Sequence, residues 1–142
     1  MRSYVTGATG FIGLTLVKAL PARGDAVTVL RRPTADTRWL EDLPVRQVVG
    51  DVTDPVSLHG TMRGMDRVFH VAGVAAYRRA ERVRGWQVNV VGTENVLVAR
   101  RAFQGALSRP ATEYHARLTL PGRGAIISGD GIPGVVVGTA RG

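Results

Sequence analysis

Residues 6 to 13 read Thr-Gly-Ala-Thr-Gly-Phe-Ile-Gly, with Gly7, Gly10 and Gly13 in a G-x-x-G-x-x-G spacing. Glycines at these intervals make a loop that can cradle phosphate. Gly7 permits a tight turn out of a strand, and Gly10 lets a pyrophosphate approach bare backbone. Gly13 lets the following helix pack close to a sheet. Thr9, Phe11 and Ile12 lie between these glycines. The helix that follows would offer unpaired N–H groups and a partial positive charge to an anion. The alternative is an ordinary strand-to-helix turn.

The remaining composition narrows the chemistry. The 142 residues suffice for one domain with a real core. Cysteine is absent, which excludes disulfides and thiolate chemistry and fits a cytoplasmic location. His59, His70 and His115 lack metal-ligand spacing, so they are read as structural or exposed and no metal is expected. The formal charge is +8, and Lys18 is the only lysine among the 19 basic residues. Arginines cluster at Arg31-Arg32, at Arg78-Arg79-Arg82-Arg84 and at Arg100-Arg101. Such a chain could bind nucleic acid through phosphates. No nucleic-acid motif accompanies the charge, so solvated arginine faces and a site for an anionic cofactor are expected, with no nucleic-acid partner. No run approaches the roughly 18 apolar residues of a membrane span. The first strand begins at once, so neither a signal peptide nor a membrane partner is expected.

Stepping from residues to elements, strand and helix patterns alternate. Residues 2–6 predict a first strand and 11–20 a helix that Pro21 stops early, with Gly24 close behind. Residues 26–30 predict a second strand, 36–43 a short helix and 45–49 a third strand closed by Gly50. Asp54 and Pro55 have N-cap and first-turn chemistry for a helix through about Arg63. Residues 67–72 predict a fourth strand. A long helical segment from about Arg79 to Phe103 follows, weakened by Gly85 and Gly92. This order predicts an α/β fold, a Rossmann-type doubly wound parallel sheet with right-handed crossovers. Ligands of such sheets lie at the carboxyl ends of the strands. That gathers the loops at Gly7–Gly13, Arg31–Arg32, Asp51–Asp54 and Ala72–Gly73 around one crevice. The organisation expected is a partial dinucleotide-binding domain over 1–103. A Gly/Pro-rich tail over 104–142 follows, with strand-like character at 125–127 and 135–137.

Four blocks carry a family resemblance: Thr6–Gly13, then Gly50-Asp51-Val52-Thr53-Asp54, then Phe69-His70-Val71-Ala72-Gly73, then Asn89–Leu97. Together they resemble the N-terminal half of an extended short-chain dehydrogenase/reductase of the NAD-dependent epimerase/dehydratase, dihydroflavonol-reductase-like branch. The resemblance implies that Gly7, Gly10, Phe11, Ile12 and Gly13 hold the pyrophosphate. It implies that Asp51 binds the adenine amino group beside the Val52 backbone, although Gly-Asp-Val-Thr-Asp is also good turn chemistry. Val71, Ala72 and Gly73 would line the cofactor, and Asn89 matches the family's helix-four asparagine, which supports the active-site architecture. Where NAD-preferring members place an acid at the end of strand two, this chain has Arg31, followed by Arg32. Arginines there suit a 2′-phosphate, which favours NADP with NAD as the alternative; otherwise both face solvent.

The family's chemistry also needs a Tyr-x-x-x-Lys pair and a serine or threonine at the end of a fifth strand, with tyrosine as the general acid or base. Tyr4, Tyr77 and Tyr114 are followed four residues later by Ala8, Glu81 and Leu118, and Lys18 belongs to helix one. Ser128 follows Tyr114 rather than preceding it. No catalytic residue is assigned. A truncated or frameshifted reductase product is expected, with strand four left as an exposed edge open to self-association unless residues 125–127 and 135–137 of the tail cover it. A family enzyme, a dinucleotide-binding module without turnover and a nonfunctional fragment are the three competing readings.

Overall fold

The computed structural model describes residues 1–75 and 78–104, together with the backbone of Ile127–Ser128 and Val135–Val137. Tyr77, Tyr114, His115, the Ser128 side chain and most of the expected tail lie outside the described residues.

Strand β1 (Arg2–Thr6) is central, pairing in parallel with β2 (Ala26–Arg31) and β4 (Arg67–His70). β2 pairs in turn with β3 (Val45–Val49). The expected fourth strand ends two residues sooner, because Val71 already leaves the ladder after donating its N–H to the Thr6 carbonyl at 3.2 Å. β6 (Val135–Val137) pairs in parallel with β4, and β5 (Ile127–Ser128) pairs antiparallel with β6, so the order is β3-β2-β1-β4-β6-β5. Of the two outcomes open from the sequence, β4 takes the covered one rather than the exposed edge, since Val135–Val137 take up its free hydrogen-bonding side.

Helix α1 (Phe11–Ala22) runs past the expected stop, with Pro21 in its last turn. The chain closes the helix at Gly24, whose φ of +84° suits only glycine, and the Gly24 N–H bonds the Pro21 carbonyl at 2.8 Å. The helix expected over 36–43 is a single 3-10 turn, Arg38–Leu40. The helix expected over 54–63 is instead a succession of turns with bonds three residues apart, such as Leu58 N–H to Pro55 at 3.3 Å and Thr61 N–H to Leu58 at 3.2 Å. Gly60 and Gly64 adopt φ of +75° and +74°, which no α-helix contains. The Thr61 hydroxyl also bonds the Leu58 carbonyl, competing with a helical ladder.

The expected long helix is present as an unbroken run with changing pitch. A 3-10 turn (Arg79–Glu81) leads into α2 (Arg82–Trp86), a π turn (Gln87–Val91) and α3 (Gly92–Gln104). Gly92 does not weaken it without purpose, because a Cβ there would stand 2.8 Å from Val52 Cγ2. Two buried clusters cover the sheet. Val5, Val17, Leu20, Val27, Val29 and Leu40 pack under α1. Tyr4, Leu30, Val52, Leu58, Met62, Val68 and Val96 pack under the turn segment and α3. The alternation of Tyr4 with Val5 and of Val29 with Leu30 sends successive side chains to opposite faces. At roughly 1.5–3 kcal/mol per buried large apolar side chain, these faces fix the position of the strand ends where the site lies.

Candidate functional site

The carboxyl ends of β1 to β4 open on one cleft of about 690 Å³. Its floor is the glycine loop. Gly7 has φ +74°, and a Cβ on it would lie 2.5 Å from the Ala72 nitrogen, so the loop can touch the end of β4 only with glycine there. A Cβ on Gly13 would collide with the Gly7 carbonyl oxygen. Gly10 differs: its φ is −85°, and a Cβ would meet nothing closer than the Gly7 oxygen at 3.3 Å. Packing therefore requires glycine at 7 and 13, whereas at 10 a Cβ would make one tight contact that a small shift can relieve, and Gly10 lines the cleft. Gly10 is the N-cap of α1 and no side chain caps this end. The Gly10 carbonyl first accepts from Leu14 at 2.8 Å, so the N–H groups of Phe11, Ile12 and Gly13 stand in the uncapped first turn. The Phe11 side chain is 91% exposed and Ile12 is also exposed.

The cleft gathers Gly7, Thr9, Gly10, Arg31, Arg32, Asp51, Val52, Val71, Ala72 and Gly73 from the residues expected to bind cofactor. Phe11, Ile12, Gly13 and Asn89 stand beside it rather than in its lining. Arg31 ends β2 half-buried, with Nε donating to Gln47 Oε1 at 3.0 Å and Nη1 reaching the Arg32 carbonyl at 3.5 Å. Arg32 is exposed. Asp51 is both turn residue and wall residue. Its Oδ1 accepts from Thr53 N–H at 2.9 Å and from Thr53 Oγ1 at 2.8 Å. The same turn is closed by Ser57, whose hydroxyl accepts from Asp51 N–H at 2.9 Å. Nothing in this pattern uses Asp51 Oδ2.

Asn89 sits in the π turn and binds Val74 in both directions, accepting from its N–H and donating to its carbonyl, each at 2.8 Å. It thereby holds the loop after β4 against the helix. One turn away a buried chain of polar groups joins β1, β4 and α3. Thr93 Oγ1 donates to the Asn89 carbonyl at 2.7 Å, so its contact with His70 Nε2 at 3.0 Å uses the oxygen as acceptor. His70 therefore carries its proton on Nε2, and Nδ1 accepts from Thr6 Oγ1 at 2.7 Å. Thr6 Oγ1 accepts in turn from Ala72 N–H at 3.3 Å. Burial pushes the His70 imidazole down to about 4, and it is neutral. His70 is thus structural, as its sequence context suggested.

Tyr4 is fully buried, bonds Thr61 Oγ1 at 3.0 Å, and its phenol is pushed up to about 12 by burial. That places it outside acid–base work. Sequence reasoning missed Arg84, Gln87 and Val88, which form the wall opposite the strand ends. Their i, i+3, i+4 spacing was the available signal, and it lay inside an arginine cluster read as solvated. It also missed Asn95, whose Nδ2 donates to the Val52 carbonyl at 2.9 Å and ties the loop after β3 to α3. Among the described residues no cluster of His, Asp or Glu could hold a metal ion. No helix there is long and apolar enough to cross a membrane.

Residues 3–110 match the model of the NAD dependent epimerase/dehydratase family. The chain belongs to that family. Sterol demethylase protein B of Methylococcus capsulatus is 40% identical over 103 residues, covering 72% of this chain and 31% of that protein. A 2-alkyl-3-oxoalkanoate reductase of Stenotrophomonas maltophilia is 35% identical over 129 residues, covering 88% of this chain and 38% of the reductase. Among solved structures, the UDP-glucose 4-epimerase of Thermus thermophilus in complex with NAD superposes with TM-score 0.65 at 31% identity. That match covers 72% of this chain and 34% of the epimerase. The family member thus spans only 31% and 38% of the length of these two curated relatives. The Rossmann-type sheet and the family are those expected from the four sequence blocks.

Proposed function

We propose that this chain holds a nicotinamide dinucleotide in the cleft, NADP in preference to NAD, and that these 142 residues alone do not turn over a substrate. The observation that carries the reading is the uncapped first turn of α1, which meets bare backbone at Gly10 on the floor of a cleft that also collects Arg31, Arg32 and Asp51. These residues suit the group. Backbone N–H groups of Phe11, Ile12 and Gly13, with Gly7, Thr9 and Gly10 beside them, would hold the pyrophosphate. Asp51 Oδ2 and the Val52 backbone would take the adenine edge, and Val71, Ala72 and Gly73 the other end. Arg31 and Arg32 would pair with a 2′-phosphate. Asn89 would act through Val74, keeping that wall in place. The bound nicotinamide would supply hydride transfer.

Proton transfer is the missing half. No Tyr-x-x-x-Lys occurs in the sequence, and Tyr4 is engaged in the core. We therefore read the chain as the cofactor-binding portion of a cytoplasmic oxidoreductase or sugar-nucleotide epimerase. The second reading is a dinucleotide-binding module that works without turnover, favoured by a cleft that gathers ten of the expected cofactor residues while no Tyr-x-x-x-Lys occurs in the sequence.

A thermal melt with NADPH, NADP, NADH and NAD tests the reading. A ligand at 100 times its dissociation constant adds about 2.7 kcal/mol to stability, which raises the midpoint by several degrees. The expected result is a rise with all four, larger for the phosphorylated pair. A cooperative melt indifferent to all four would reject cofactor binding.

A further inference from the structure

We infer that Gln47 is a positioning residue for cofactor selection, acting through Arg31; this rests on the reading of Arg31 as the 2′-phosphate ligand. In the parallel pairing of β2 with β3, Gln47 stands beside Val29 and Arg31 beside Val49. Residues two apart share a face, so Gln47 and Arg31 lie on the same side of the sheet, one step apart on neighbouring strands. The Gln47 amide oxygen accepts the Arg31 Nε–H at 3.0 Å, and Arg31 Nη1 leans on the Arg32 carbonyl at 3.5 Å. Both partners are half-buried and Arg31 lines the cleft.

A guanidinium has five N–H donors in a rigid planar fork. With one used at Nε and one at Nη1, the Nη2 edge retains its donors. Fixing Nε against β3 sets the plane of the fork and leaves that edge for a phosphate, so the long side chain is ordered before the ligand arrives. Pre-organisation of this kind improves affinity by lowering the ordering cost of binding. It acts only on a ligand that touches the fork, so it raises affinity for the phosphorylated cofactor and leaves the other unchanged. The strand supplies this partner because an amide accepts from Nε without adding negative charge. A carboxylate at position 47 would also hold Arg31 but would oppose the phosphate.

The test is the affinity of the full chain for NADPH and NADH, measured by titration of cofactor fluorescence. Gln47→Met preserves length and removes the acceptor, and Gln47→Thr is a strand-compatible second variant should the first fold poorly. Loss of this orienting hydrogen bond, felt only through the ordering of the fork, predicts a fall in NADPH affinity of roughly three- to tenfold with NADH affinity unchanged. In an Arg31→Lys background the Gln47→Met change should have no further effect on the ratio, since the fork it orients is gone. Equal loss for both cofactors, or an unchanged ratio in both variants, would overturn the role of Gln47. A wild-type chain that binds NADH as tightly as NADPH would instead remove the Arg31 reading beneath it.

Discussion

Gly10 and Gly13 stand three positions apart and are glycine for different reasons. At Gly13 an added methyl collides with the Gly7 carbonyl, a backbone atom that cannot swing away. At Gly10 the backbone conformation is ordinary, and the nearest obstacle is 3.3 Å away. Gly13→Ala should therefore lose about 1–3 kcal/mol of stability by denaturant unfolding, as overpacking does. Gly10→Ala should cost less than about 1 kcal/mol of stability. It should still weaken dinucleotide binding by roughly tenfold or more, equivalent to about 1.4 kcal/mol. If Gly10→Ala binds cofactor normally, the cleft beside that residue is not where the phosphates lie. At this scale the sequence is most readable. Ten of the residues expected to bind cofactor line one cleft, because glycine spacing and strand-end residues report directly on backbone geometry. Gln47 and Asn95 were not readable, because a polar side chain in a strand or helix carries no mark of what it faces.

Between elements, the chain from Ala72 through Thr6, His70 and Thr93 to Asn89 ties two strands to a helix with every hydroxyl and ring nitrogen used. A neutral imidazole is built into that pattern. Its folded value of about 4 lies below the ordinary 6.5, so the unfolded chain takes up a proton in this range while the folded chain does not. The contribution of His70 is complete above pH 6.5 and is lost as pH falls toward 4. By linkage the loss is about 2 kcal/mol between pH 7 and pH 5, an order-of-magnitude figure. Urea unfolding at the two pH values should show it, and His70→Gln, which cannot titrate, should flatten the difference. A wild-type chain as stable at pH 5 as at pH 7 would contradict the buried neutral ring. Elements themselves were legible where period and length agreed, as in the four parallel strands. The segment 54–63 was misread because Asp54 and Pro55 are good helix starters, while the backbone reversals at Gly60 and Gly64 decide the outcome. The π turn left no trace, since its residues are those of any helix.

Across the molecule, the net charge is +8, and the charged lining of the cleft among the described residues is Arg31, Arg32, Arg84 and a single acid, Asp51. Such a field attracts anions and is screened by salt, with a Debye length of about 10 Å at 0.1 M and about 3 Å at 1 M. The proposed preference for NADPH over NADH should narrow as salt rises, because the extra phosphate depends most on charge. Equilibrium titrations at low and high salt would show it; a ratio independent of salt would mean that arginine charge does not set the preference. The helix opposite the strand ends adds a constraint of another kind. Arg84, Val88, Gly92 and Val96 recur every four residues, the first two at the cleft and the last two against the core. An α-helix drifts about 40° over four residues, and the wider π turn between them takes part of that drift back. Deleting one residue from Gln87–Val91 would leave a helix with its core side seated and rotate everything upstream by about 100°. Over generations, then, this stretch can exchange residues other than Asn89 more freely than it can change its length, for a single lost codon would turn one wall of the cleft away from the strand ends.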